Sequence, residues 1–99
     1  VSGSGYAGKP RPALILQDDR FDATASVTIC VFTTDDTEAP LFRIRVSPNT
    51  ENGLQMPSRL MADKLTTVPR TRLGQKTGHL SNADLQRLER AVLVFLGMA

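Results

Sequence analysis

The chain has 99 residues, 40% of them hydrophobic and 22% charged, with a net charge of +2. That length buries roughly 65% of the unfolded surface, enough for one modest core, and the balance excludes wholesale disorder and collagen-like or low-complexity chains. One cysteine, Cys30, and one histidine, His79, exclude a disulfide framework and a soft-ligand zinc site and point to a reducing compartment.

Residues 1–9 hold three glycines and two serines without an apolar period, which predicts a flexible lead-in with Tyr6 as its only anchor. The chain opens on Val1 rather than Met, as expected if an initial segment is missing. Residues 11–17 form a short apolar run after a Pro-x-Pro stop, consistent with a buried strand that Pro12 can start but not occupy mid-ladder. Asp18, Asp19, Arg20, Phe21 and Asp22 then make a polar loop. Val27, Ile29 and Val31 alternate with Thr28, Cys30 and Phe32 in a β-branched run ending at Thr33 and Thr34, the clearest strand of the sequence.

Residues 35–40 read as a turn, and Phe42, Ile44 and Val46 alternate with Arg43 and Arg45, which buries one face and presents two cations on the other. Another turn at residues 49–53 precedes an apolar, β-branched strand over residues 59–68, and a brief pairing is expected around residues 75–79. The last element changes period. Leu85, Leu88, Val92, Phe95 and Leu96 fall on one helical stripe, with Ser81 as N-cap, Asp84 in the first turn, Leu80 and Leu85 as a staple, and Gly97 as the left-handed stop. Four or five strands at close turn spacing followed by one helix predict a single domain over residues 1–99: mainly β, a small curved antiparallel sheet or barrel closed by a C-terminal helix. Aromatic residues at 5%, with no Trp, leave that core undersized, so self-association is expected. No apolar run reaches the ~20 residues of a spanning helix, so no membrane association is expected.

The charge is segregated. Residues 1–50 carry five Lys/Arg against six Asp/Glu, and residues 51–99 seven against four. Arg59, Lys64, Arg70, Arg72 and Lys76 face only Asp63 between residues 59 and 76, a stretch that would attract a phosphate backbone or simply be a solvated face. A Ser81–His79–Asp triad can be written on paper, but Ser81 is needed as a cap. The aspartates Asp18, Asp19, Asp22, Asp35 and Asp36 flank turns without calcium-loop spacing. Arg11 at the head of one strand and Thr33 with Thr34 at the end of another remain: a planar donor set that matches phosphate, beside hydroxyls that can donate or accept.

Gly8-Lys9-Pro10-Arg11-Pro12-Ala13-Leu14-Ile15-Leu16-Gln17 resembles the Arg-Pro strand opening of the MazF/PemK/Kid toxins. Val27-Thr28-Ile29-Cys30-Val31-Phe32-Thr33-Thr34 looks like that family's second signature strand. Asn52-Gly53-Leu54 followed by residues 58–68 looks like its later strand, and Gly78-His79-Leu80-Ser81 leading to Val94-Phe95-Leu96-Gly97 like its closing helix. The four pieces run in the family's order over residues 8–99. Two features depart from it: the Gly-Asp-containing first strand is absent, and the acidic residue common shortly before the Arg is replaced around Gly5 and Tyr6.

The resemblance implies a small SH3-like barrel of the plasmid-maintenance toxin type (CcdB/Kid/MazF). It implies the toxin of a type II toxin–antitoxin pair, a homodimeric, metal-independent endoribonuclease of the bacterial cytoplasm that cuts single-stranded RNA (mRNA) at a short sequence. It also implies a cognate antitoxin that blocks the site with an extended acidic tail. On that reading Arg11 and Thr33 are catalytic, with Thr34 as an alternative hydroxyl, and Arg59, Lys64 and Arg70 grip flanking phosphates. No cofactor is needed, because RNA carries its own nucleophile. The rival class, gyrase-poisoning toxins of the same fold, depends on a Trp near the C-terminal helix end, where this chain ends Phe95-Leu96-Gly97-Met98-Ala99; a non-catalytic RNA- or protein-binding module is the other alternative.

Overall fold

The structure, a computed structural model, describes residues 2–3 (as backbone), 11–39 and 41–99. Strands β1 (Ser2–Gly3), β2 (Arg11–Ile15), β3 (Ser26–Thr33), β4 (Arg43–Val46) and β5 (Ser58–Pro69) form one antiparallel sheet in the order β1-β2-β3-β5-β4, followed by helix α1 (Asn82–Phe95). The expected lead-in is corrected at its start, where Ser2 and Gly3 pair with Pro12 and Arg11; Tyr6 and its neighbours lie outside the described residues.

β3 is central because its β-branched residues have a buried surface on either side. Val27, Ile29 and Val31 pack with Ala13 against Met61, Val68 and Leu73, while Cys30 and Phe32 join Ile44, Val46, Leu60, Ala62, Leu80, Leu88 and Ala91 beneath the helix. β5 is long enough to serve two partners: its first residues pair with β4 and its last with the start of β3. Cys30 stands opposite Leu65 but Phe32 opposite Leu60, so two steps along β3 match five along β5 and the intervening residues bulge. Such an insertion bends a strand and re-aims its side chains. Here it carries Lys64.

The helix begins where Ser81 accepts a hydrogen bond from the Asp84 N–H at 3.1 Å. It ends in a Schellman arrangement, with Gly97 at φ 75°, its N–H on the Val94 carbonyl and the Met98 N–H on that of Leu93. Leu88 and Ala91 are buried and Leu85 and Val92 pack on the same core. The expected stripe fails at its end: Phe95 and Leu96 are 51% and 55% exposed, because they lie in the turn beyond Leu88 and Ala91, the residues the helix buries, and the Phe42 ring meets that of Phe95 at 6.2 Å.

The brief pairing expected at residues 75–79 forms no strand; the His79 N–H donates to the Glu51 carbonyl at 2.8 Å and ties the two loops together. Gly78 lies so close to that segment that a Cβ would stand 2.2 Å from the Glu51 carbonyl oxygen. The polar loop after β2 contains a short 3-10 turn, Asp19–Phe21, capped by Asp18.

Candidate active site

The ends of β2 and β3 and the bulge of β5 converge on a cavity of about 240 Å³ lined by Arg11, Thr33, Met61, Lys64, Leu65 and Thr66, together with Val31 and Phe32. Arg11 opens β2, and Thr33 closes β3, which runs antiparallel beside it. Lys64 reaches the cavity because the register break turns it out of the ladder; without the bulge it would pair regularly with β3. Among the described residues neither Arg11 nor Lys64 has a salt bridge, so the cavity presents two cations outside any ion pair beside the threonines Thr33 and Thr66. An anion is the ligand this arrangement favours.

The Thr33 hydroxyl is oriented. Its oxygen accepts from the Asp35 N–H at 3.1 Å, which leaves its own hydrogen free to donate. The Asp35 carboxylate in turn accepts from the Thr37 hydroxyl at 2.7 Å and the Thr37 N–H at 2.9 Å, and those bonds hold it below the usual carboxylate range. A carboxylate so held is a poor proton acceptor. Thr34 is exposed and does not line the cavity.

The other sequence-derived candidates lie elsewhere. Arg59 stands opposite Thr33 in the ladder, but its guanidinium donates to the Glu38 carboxylate at 2.9 Å and the Asp35 carbonyl at 3.2 Å, with its side chain only 12% exposed. It pins the loop whose N–H orients Thr33. Arg70 sits at the opposite end of β3, donating to the Thr24 carbonyl at 2.8 Å and to the Thr24 hydroxyl. The cavity therefore joins Arg11, Thr33 and Lys64 and leaves Thr34, Arg59 and Arg70 outside.

Sequence reasoning missed the clamp on the bulge. Asp63 receives two hydrogen bonds from Arg43, at 3.0 and 3.2 Å, with the two side chains 18% and 15% exposed. Burial would raise the Asp63 carboxyl, but the Arg43 bonds prevail and hold it below the ordinary value. The usable signal was that Asp63 is the one anion in a basic stretch and Arg43 a cation on a neighbouring strand. Cys30 lies beneath, its thiol pushed up to about 11 mainly by burial, which makes it inert. His79 meets Glu51 at 3.1 Å and Ser81 is spent on the helix cap, so no nucleophilic triad assembles around them.

A larger cavity, about 720 Å³, lies between β2 and residues 73–80. It mixes Asp18, Asp19 and Glu89 with Lys76 and His79 and contains neither Arg11 nor Thr33. Mixed charge selects no anion, so the smaller cavity is the better candidate. No helix among the described residues is long and apolar enough to cross a membrane.

Residues 2–96 match the sequence profile described as PemK-like, MazF-like toxin of type II toxin-antitoxin system. A protein of Mycolicibacterium smegmatis described as a probable endoribonuclease MazF is 61% identical over 94 residues, covering 95% of this chain and 86% of its own. The endoribonuclease MazF9 of Mycobacterium tuberculosis is 28% identical, covering 93% and 82%. Among solved structures, the M. tuberculosis toxin MazF-mt6 superposes with a TM-score of 0.83 at 25% identity over 99% of this chain and 96% of that one. A mycobacterial endoribonuclease in complex with its cognate antitoxin shares the fold with a TM-score of 0.79 at 21% identity, over 99% and 91%.

Proposed function

The chain belongs to the PemK-like, MazF-like toxins of type II toxin–antitoxin systems, and we propose that it acts as an endoribonuclease on single-stranded RNA with Arg11 and Thr33 as its catalytic residues. The observation that carries this reading is the shared cavity of Arg11, Thr33 and Lys64, two cations and a free hydroxyl donor with nothing anionic among the lining residues.

In the reaction the ribose 2′-oxygen bonds to the adjacent phosphorus as the bond to the 5′-oxygen breaks. The 2′-hydroxyl proton is given up and the departing 5′-oxygen takes one, leaving a 2′,3′-cyclic phosphate and a 5′-hydroxyl. Negative charge grows on the non-bridging oxygens, where preorganised donors act most strongly. Arg11 supplies two parallel N–H donors and a permanent charge, and with a pKa above about 12 it stabilises charge rather than shuttling protons. Thr33, its acceptor side occupied by the Asp35 N–H, donates its hydroxyl hydrogen to a non-bridging oxygen. Lys64 holds a neighbouring phosphate as a point charge. Arg59 acts as a positioning residue through the Asp35 loop, and Arg70 belongs to the far end of the sheet.

The same reading makes the toxin a homodimer of the bacterial cytoplasm. Leu93, Val94, Phe95, Leu96 and Met98 leave an exposed apolar surface at the helix end that supports self-association. The cognate antitoxin covers the basic cavity with an extended acidic segment that orders on binding. The test is end-group mapping of a defined single-stranded RNA cut in the presence of EDTA. Cyclic-phosphate and 5′-hydroxyl ends are expected; 5′-phosphate ends, or cleavage that stops on chelation, would defeat the scheme.

A further inference from the structure

A second basic cavity, about 370 Å³, lies where α1 crosses the open edge of β4, lined by Arg43, Arg45, Arg59, Arg87 and Arg90, with Glu38 as its one acid. It shares no residue with the Arg11 cavity. Three of its arginines are paired: Arg43 with Asp63, Arg59 with Glu38, and Arg87 with Asp84 while also donating to the Arg45 carbonyl. Glu38 is thereby neutralised. Among the described residues Arg45 and Arg90 have no salt bridge and both are exposed, so the cavity keeps two free guanidinium groups held over fixed cations. Arginine side chains normally avoid one another; five around one hollow are stable because each internal pair satisfies one, and the remaining pair is cheapest when an anion sits between them.

The ladder connects this cavity to the cut site. Thr33 stands opposite Arg59, and Arg59 opposite Arg45. Directly opposed residues share a face, so the three make a lateral row only about 10 Å across, two strand spacings. We propose that the Arg45–Arg90 cavity is a subsite for the phosphodiester backbone of RNA flanking the cut, an inference that rests on the endoribonuclease reading of the Arg11 cavity. A nucleic-acid backbone is favoured over an acidic peptide because the row leads straight from Thr33, so one strand can engage both sites, and because planar guanidinium pairs match phosphate oxygens and can also stack on bases.

The test is binding of non-cleavable RNA, carrying a 2′-deoxy sugar at the cut, in a short form that covers the cut alone and a long form with flanks. Parent, the Arg45→Gln/Arg90→Gln double variant and Arg20→Gln are compared over a salt series. Arg20 is an exposed cation that lines neither cavity and is paired with Asp18. Two phosphate contacts on a single strand contribute about 1.4 to the log–log salt slope and roughly 25-fold in affinity at 0.1 M salt. The double variant is expected to lose that much on the long RNA, collapsing the long-to-short advantage, while Arg20→Gln retains it. Unchanged long-RNA affinity and slope would overturn the proposal, as would a loss seen only with a polyglutamate peptide probe, which would make this a protein-docking site. A parent that binds long RNA through these arginines yet cuts nothing would refute the reading of the Arg11 cavity and leave this one standing.

Discussion

Replacing Arg43 by Ala tests whether the bulge that presents Lys64 is held by its ion pair. The pair is neither surface nor core: the side chains are 15% and 18% exposed and joined by two hydrogen bonds. Exposed pairs contribute about 0–1 kcal/mol, whereas stripping a buried charge of its partner costs about 3–5 kcal/mol. Arg43→Ala should therefore cost about 2 kcal/mol at pH 7, and at about 4–8 °C per kcal/mol for a domain of this size the melting temperature should fall by on the order of 10 °C. The pH dependence is diagnostic. In the parent, Arg43 holds Asp63 below its ordinary 3.8 against the upward push of burial, so the stabilisation is complete above that value and lost only as pH falls through the lowered native one. In the variant burial, the largest single influence, is opposed only by a backbone hydrogen bond and the Lys64 charge, so the native value rises, and the penalty is relieved as Asp63 takes up a proton. The stability gap between parent and variant should then close between pH 7 and about pH 3.5. Urea titrations at both pH values measure it. A gap that is the same at both, or one below about 0.3 kcal/mol at pH 7, would refute the clamp.

Leu88 is fully buried under the sheet, and Leu88→Ala should cost about 3–5 kcal/mol in urea unfolding. Ser81→Ala removes the hydroxyl that accepts the Asp84 N–H and should cost about 1 kcal/mol in the same assay. Cys30, with its pKa at about 11 and its side chain buried, should resist iodoacetamide in the native protein at pH 8 and react only as fast as the chain unfolds; prompt native labelling would contradict its placement. Gly78→Ala should destabilise through the Glu51 carbonyl contact and shift the melting temperature without changing the salt slope of RNA binding.

The strands and the helix were legible wherever one period and one cap acted alone. The β-branched run ending at Thr33, the alternation from Ile44 to Val46, and the Ser81 and Gly97 boundaries all follow from local rules. The exposure of Phe95 and Leu96 was not legible, because a helical stripe says which residues face one way and not how far along the helix the burial extends. The candidate site was readable as residue types at strand ends, Arg11 and Thr33, together with a family resemblance. The roles of the basic residues were not readable from charge. Arg59 and Arg70 carry the same formal charge as Arg11, yet Glu38 and the carbonyls of Asp35 and Thr24 consume them, and such partners come from distant segments. Lys64 reached the cavity through a register break that no linear pattern encodes.

The central claim, that Arg11 and Thr33 together stabilise the charge that develops on the phosphate, is tested most directly by the cleavage rates of Arg11→Ala and Thr33→Ala on one defined RNA, with circular dichroism and melting temperature recorded alongside. Loss of one preorganised donor costs on the order of 3 kcal/mol, so each variant should cut at least about 100-fold more slowly while its fold and melting temperature stay at parental values. Near-parental cleavage by either variant would contradict the account.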